Sequence, residues 1–143
     1  MKHYLLDTNA LSEASKPQPN AGFMSWFSLV DEQVLFTSCL ALGEIQKGIT
    51  LVGNSAKRSQ LEKWLAKLTE DFEDRIIGVD GQGAMLWGTL VAKAQKKGKS
   101  APAIDALIAA QCIQYKLVLV TRNVKDFEQF AGLDVLCPWS DER

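Results

Sequence analysis

The chain has 143 residues, 47% apolar and 23% charged, which suits one globular domain that builds its core without disulfide staples. No apolar run approaches the ~20 residues of a membrane helix, and the N-terminus lacks the basic start, apolar stretch and cleavage site of a signal peptide, so a cytoplasmic location and no membrane partner are expected. The formal net charge of −1 means that the molecule as a whole does not attract phosphate, so a nucleic-acid partner needs a local basic patch.

Residues 3–7, HYLLD, read as a short strand, because a continuous apolar run fits a strand covered on both faces. KPQPN (16–20) is a loop, and its Asn20 can cap a helix with Phe23, Trp26, Phe27 and Val30 on one face. VLFTS (34–38) is a second strand, followed directly by a helix carrying Leu42, Ile45 and Ile49. After a loop over 50–56, a helix beginning near Ser55 carries the stripe Leu61, Trp64, Leu65, Leu68 and Phe72. Trp87, Leu90, Val91 and Ala94 mark another helix, stopped by Gly98. Pro102 fits the first turn of the next, with Ile104, Leu107, Ile108 and Cys112. LVLVT (117–121) and DVLC (134–137) close the set as strands. Cys39, Cys112 and Cys137 form no CxxC pair and read as small buried apolar residues. Trp26, Phe27, Trp64 and Phe72 fit core, a dimer surface or a partner groove, with core preferred for most of them. With no repeat and no linker, residues 1–143 form one domain, an α/β fold with a parallel sheet between helices.

Parallel sheets bind ligands outside the carboxyl ends of their strands. Asp7 ends the first strand, and Asn123 and Asp126 follow LVLVT on the same edge. Glu44 lies on the border of an apolar helix face, and Asp105 opens an otherwise apolar, alanine-rich helix. Each residue has a plain structural reading. Asp7 can cap the following helix, Glu44 can be a solvated helix residue, Asp105 can favour a helix's positive end, and Asn123 and Asp126 can serve a turn and a short helix around 127–130. Thr8, Ser38 and Thr121 fit either supporting hydroxyls behind the acids or ordinary strand-end hydrogen-bonders. Taken together, carboxylates on one edge repel, and a hard divalent cation such as Mg²⁺ or Mn²⁺ removes the conflict. That arrangement is what metal-dependent phosphodiester cleavage requires. The lone histidine, His3, starts a strand, so a His triad or zinc site is not expected; there is no GxGxxG and no GxxxxGK[ST]. An aspartyl-phosphate phosphatase needs a second Asp two residues after Asp7, where Asn9 stands.

LLDTN, SCLALGEIQKGI, IDALIAA and VTRNVKDF, in this order and spacing, resemble the PIN-domain family, and more narrowly its VapC toxins. DTNALSEASKPQPN with the closing CPW resembles the FitB-like branch. The resemblance runs from Tyr4 to Trp139 and implies a three-layer α/β/α PIN domain with a short, mostly parallel central sheet. It implies a Mg²⁺-dependent or Mn²⁺-dependent ribonuclease, the toxin of a toxin–antitoxin pair. Its acidic quartet falls on Asp7, Glu44, Asp105 and Asn123, where the branch often has Asp; the first three are the implied metal ligands, and Asp126 lies near enough in sequence to substitute in part. The resemblance also implies an RNA substrate, a VapB-like antitoxin that brings any DNA contact, and a homodimer. For RNA contact the basic stretch KAQKKGKS and the end of the last long strand supply Lys96, Lys97 and Arg122, although lysines at a helix end also suit a solvated face. Asn123 keeps a second reading open: a PIN scaffold of little activity that binds an antitoxin in a transcription-repressing complex.

Overall fold

A computed structural model describes residues 1–140; the last three positions of the expected domain, 141–143, lie outside the described residues. Strands β1 (His3–Leu6), β2 (Leu35–Ser38), β3 (Ile76–Ile77), β4 (Leu117–Val120) and β5 (Val135–Leu136) form one sheet in the order β3-β2-β1-β4-β5. Every pairing is parallel, with Leu6 facing Thr37 on one side and Val120 on the other. The chain moves outward from β1 through β2 to β3, then returns across β1 to lay down β4 and β5. The order therefore reverses at the β1–β4 seam, the place where an open α/β sheet forms a crevice at its carboxyl edge.

Successive strand residues point to opposite faces, and this divides the core in two. Leu5 and Leu119 point into a cluster with Leu90, Ile108, Ala109, Phe127 and Phe130. Leu6, Val120 and Leu35 point into the other, with Leu11, Phe23, Ile45 and Ile49. Helices α5 (Gly81–Lys96), α6 (Ala103–Tyr115) and α7 (Val124–Phe127) cover the first face. Helices α1 (Thr8–Ala14), α2 (Ala21–Phe27), α3 (Cys39–Thr50) and α4 (Ser55–Asp71) cover the second. The result is the expected α/β/α layering.

Several expectations shift. A helix, α1, begins one residue after β1, and its two buried apolar residues, Ala10 and Leu11, make too short a stripe to read as a period. Strand β3 has only two residues and no alternation to detect. Pro102 stands just before α6 rather than inside its first turn, and α7 spans Val124–Phe127, ahead of the expected 127–130. Cys112 is buried, but Cys39 and Cys137 are exposed, so only one cysteine acts as core. Trp26, Phe27, Trp64 and Phe72 are half-buried, not enclosed. Helix α4 buries no residue completely, and Phe27, Trp64 and Phe72 instead line an open groove of about 800 Å³ with Leu11 and Leu68.

The C-terminal segment closes over α1 and α2. The buried Glu13 carboxylate accepts from Trp139 Nε1 (2.9 Å), the Asn20 amide (2.9 Å) and Lys16 Nζ (3.1 Å). Asn20 Oδ1 accepts from the Ser140 amide at 2.9 Å, and Asn20 Nδ2 donates to the Ser140 carbonyl at 2.9 Å. Backbones meet closely here: a Cβ on Gly22 would lie 2.6 Å from Ser140 N and 2.8 Å from the Pro138 oxygen. Neither neighbour is a flexible side-chain end. Gly22→Ala is therefore expected to lower unfolding free energy by about 2 kcal/mol, read by urea denaturation; an unchanged midpoint would mean that the C-terminal strap does not stay in place.

Candidate active site

Asp7 follows β1 at the seam. Its amide donates to the Val120 carbonyl at 3.0 Å, continuing the sheet ladder by one bond. Its carboxylate is only 6% exposed. Oδ1 accepts from the Thr8 amide (2.8 Å) and Oδ2 from the Thr121 hydroxyl (2.9 Å). Asp7 is thus the N-cap of α1, as one plain reading has it, and it caps through the Thr8 amide. The same carboxylate is also the floor of an acidic edge.

Thr121 Oγ1 accepts in turn from Asn9 Nδ2 (3.2 Å) and the Asn123 amide (3.1 Å), while Asn9 Oδ1 accepts from the Arg122 amide (3.1 Å). Asn9 therefore clamps the end of β4 to the start of α1. Sequence reasoning used Asn9 only to exclude a phosphatase. Its signal was available: a carboxamide two residues past a strand-end acid carries both a donor and an acceptor for the neighbouring strand end. The Thr8 hydroxyl donates to Glu44 Oε1 at 3.0 Å and so fixes the exposed Glu44 of α3. Ser38 accepts from the Leu40 amide at 3.0 Å and caps α3, with no bond to an acid. Asn123 is exposed, and its side chain does not cap α7.

Asp105 is the third residue of α6 and half-buried. Burial pushes its carboxyl up to about 6, and the charges of Asp7, Asp126 and Glu44 push the same way. Asp7 is also raised: burial is the main cause, the Thr121 and Thr8 hydrogen bonds oppose it, and Glu44 and Asp126 add to it. Asp7, Glu44, Asp105 and Asp126 are thus brought within electrostatic reach of one another, and among the described residues no ion pair engages any of them. The donors are all oxygen, which fits a hard cation that retains several waters. No three His, Cys, Asp or Glu side chains among the described residues converge on one point, so the edge is an acidic rim and not a preformed cage. Closing it on an ion requires side-chain movement or bridging water.

Asp80 caps the start of α5 and accepts from Gln114 (3.0 Å) and Tyr115 (3.2 Å) at the end of α6. The two helices therefore run antiparallel, and the exposed Lys96 and Lys97 at the end of α5 lie at the Asp105 end of α6. Arg122 is exposed beside Asn123.

The PIN domain family model matches residues 4–133. Toxin FitB of Neisseria gonorrhoeae is 31% identical, with 96% of this chain and 99% of that protein covered. VapC ribonuclease Y4jK of Sinorhizobium fredii is 26% identical, with 94% and 96% covered. Among solved structures, FitAB bound to an IR36 DNA fragment superposes with a TM-score of 0.86 at 29% identity, covering 98% of each chain. The match takes in Asp7, Glu44, Asp105, Asn123 and Asp126 and stops just before β5, and with that span the chain belongs to the PIN domain family.

Proposed function

We propose that this chain is a metal-dependent endoribonuclease and the toxin of a toxin–antitoxin pair. The observation that carries the reading is the set of Asp7, Glu44, Asp105 and Asp126 at the β1–β4 edge, mutually repelling and unpaired with any cation among the described residues. Asp7 and Asp105 would hold Mg²⁺ or Mn²⁺, with Glu44 as a further ligand or as the group that orients the attacking water, and Asn123 completing the set. Such an ion supplies phosphate charge neutralisation and an activated water. The chain's own contribution is position. Thr8 holds Glu44, while Thr121 and Asn9 hold Asp7 against the end of β4. Lys96, Lys97 and Arg122 would guide RNA across the edge.

The groove over Leu11, Phe27, Trp64, Leu68 and Phe72 has both signs of charge on its rim, Lys63, Lys67 and Arg75 with Glu32 and Asp71, and Lys67 pairs with Asp71 at 3.3 Å. Its apolar floor suits the apolar face of an antitoxin helix. DNA contact would come through that partner, and a second copy of the chain would complete a homodimer. Among the described residues no helix is long and apolar enough to cross a membrane, and an RNA substrate is consistent with a cytoplasmic site of action. The scaffold reading keeps two observations in its favour: the fourth position is the uncharged, exposed Asn123, and no three acids among the described residues converge.

Asp7→Asn is a poorer probe than charge removal alone suggests. An amide at Oδ2 would bring a third donor to Thr121 Oγ1, which already accepts two. Asp105 makes no such bond, so Asp105→Asn removes charge more cleanly. Native protein freed of antitoxin is expected to cut total cellular RNA with Mg²⁺ or Mn²⁺, and Asp105→Asn to cut it at least about 100-fold more slowly. Equal rates would remove Asp105 from the chemistry; no cleavage by the native chain with either ion would favour the scaffold.

Stability should follow the same charge. The folded pKa of Asp105, about 6, lies above its ordinary 3.8, so its contribution is fully present below pH about 4 and is lost as pH rises through 6. Without metal at pH 7, Asp105→Asn is expected to be more stable than native by about 1 kcal/mol, after allowing for solvent screening at its exposed side. The gain should vanish at pH 4, and added Mn²⁺ should raise the native melting temperature more than the variant's. Melting curves that coincide at both pH values would argue against a strained acidic edge.

A further inference from the structure

The acidic edge raises a problem for its proposed substrate, because the carboxylates that suit a cation repel a polyanion. A second feature lies next to it. Lys99, Ser100, Lys125, Glu128 and Gln129 line one shallow concavity of about 380 Å³. The two lysines reach it from segments that each adjoin a site acid. Lys125 precedes Asp126 in α7, and Asp126 is close enough to raise the Asp105 carboxyl. Lys99 leads into α6, which Asp105 opens.

The approach of Lys99 is fixed by backbone geometry. Gly98 adopts φ +72°, its amide donates to the Gln95 carbonyl at 2.9 Å, and the Lys99 amide donates to the Ala94 carbonyl at 2.9 Å. These two bonds with a left-handed glycine form a Schellman cap, which turns the chain sharply out of α5. Ala101 and Ile104 then pack against the buried cluster that holds Phe127 and Phe130, so the connection closes onto α7. Among the described residues, neither lysine enters an ion pair, nor does Glu128. Gln129 has a buried Oε1 without a hydrogen-bond partner, so that oxygen does not lock its carboxamide in place. Two cations against one carboxylate leave the concavity positive beside a negative rim.

We propose that this Lys99–Lys125 concavity holds a backbone phosphate of single-stranded RNA, adjacent to the bond presented to the acids. The two ammonium groups supply the charge, and Ser100 and the Gln129 carboxamide supply hydrogen-bond donors to phosphate oxygens. The role is distinct from that of Lys96, Lys97 and Arg122, which do not line the concavity. It rests on the ribonuclease reading, since it names where that substrate is gripped.

The test uses the Asp105→Asn chain, so that RNA survives the measurement. Its binding to a labelled single-stranded RNA is titrated at several salt concentrations, beside the same chain carrying Lys99→Ala and Lys125→Ala. A charge-matched control carries Lys2→Ala and Lys57→Ala, exposed lysines that line neither the concavity nor the apolar groove. Losing one phosphate contact should flatten the slope of log K against log salt by about 0.7 and weaken binding about tenfold at low salt, with the control close to the parent. An unchanged slope in the Lys99/Lys125 variant overturns the proposal. So does an equal loss in the control, which would make the effect one of net charge. If the parent binds no RNA and the native chain cuts none, the ribonuclease reading itself has failed and the subsite falls with it. If the native chain cuts RNA and only the slope test is negative, the failure belongs to the subsite alone.

Discussion

The Thr121 hydroxyl donates to Asp7 and accepts from Asn9 across the seam between β1 and β4, and its second lone pair accepts from the Asn123 amide of its own segment, so its whole hydrogen-bonding capacity is used. Thr121 is fully buried, and no solvent competes for these bonds. The sheet order places two strand ends here that are separated by more than a hundred residues of chain. A parallel ladder alone would align the backbones and leave the side chains at the edge free to turn. The hydroxyl converts that alignment into a fixed carboxylate. Through Thr8 the same corner reaches Glu44, so α3 is registered against β1 by a side chain as well as by packing.

Asp105 joins this corner by a different force. No hydrogen bond raises or lowers its carboxyl; burial and neighbouring charge do. What holds it there is α6, whose Ala106, Ala109 and Ala110 are all at most 1% exposed. Small side chains let the helix axis come close to the sheet, and the apolar contacts along its length offset the repulsion at its first turn. The acid is therefore carried into an unfavourable place by residues that are favourable everywhere else. A cation that entered the rim would recover the energy stored there, and this couples metal affinity to the packing of an alanine-rich helix several residues away.

The layering and the long helices were legible because the physics that forms them is periodic. The stripe Leu61, Trp64, Leu65, Leu68 and the run LVLVT each repeat often enough to stand above noise. The acids at strand ends were legible as well, since alternating strands and helices place every strand's carboxyl end on one edge. Asn9 was legible only in part: its carboxamide two residues past Asp7 offers a donor and an acceptor, but the fold alone brings up residues 121 and 122 to take them. The half-exposure of Trp64 and Phe72 was hidden for a related reason. An apolar stripe announces a covered face, but it does not say whether this chain supplies the whole cover. Lys99 lies in the basic stretch KAQKKGKS, but Lys125 lies in a separate segment, and only the fold makes the two neighbours.

Two buried carboxylates in this molecule titrate in opposite directions, and the contrast separates architecture from chemistry. Glu13 is 4% exposed and Asp7 is 6% exposed, so burial opposes ionisation in both. At Glu13 the opposition is outweighed by Trp139, the Asn20 amide and Lys16, and its carboxyl is lowered. Those partners come from the segments it ties together, and the charge is satisfied where it stands. At Asp7 two hydrogen bonds are present as well, yet the carboxyl is raised, because the cost of burial is the largest influence and outlasts them, with smaller repulsion from Glu44 and Asp126 added. A carboxylate that serves only the fold is free to acquire a compensating donor, as Glu13 has. One left in conflict at a strand end, beside others in the same state, is where the proposed cation would supply the compensating charge.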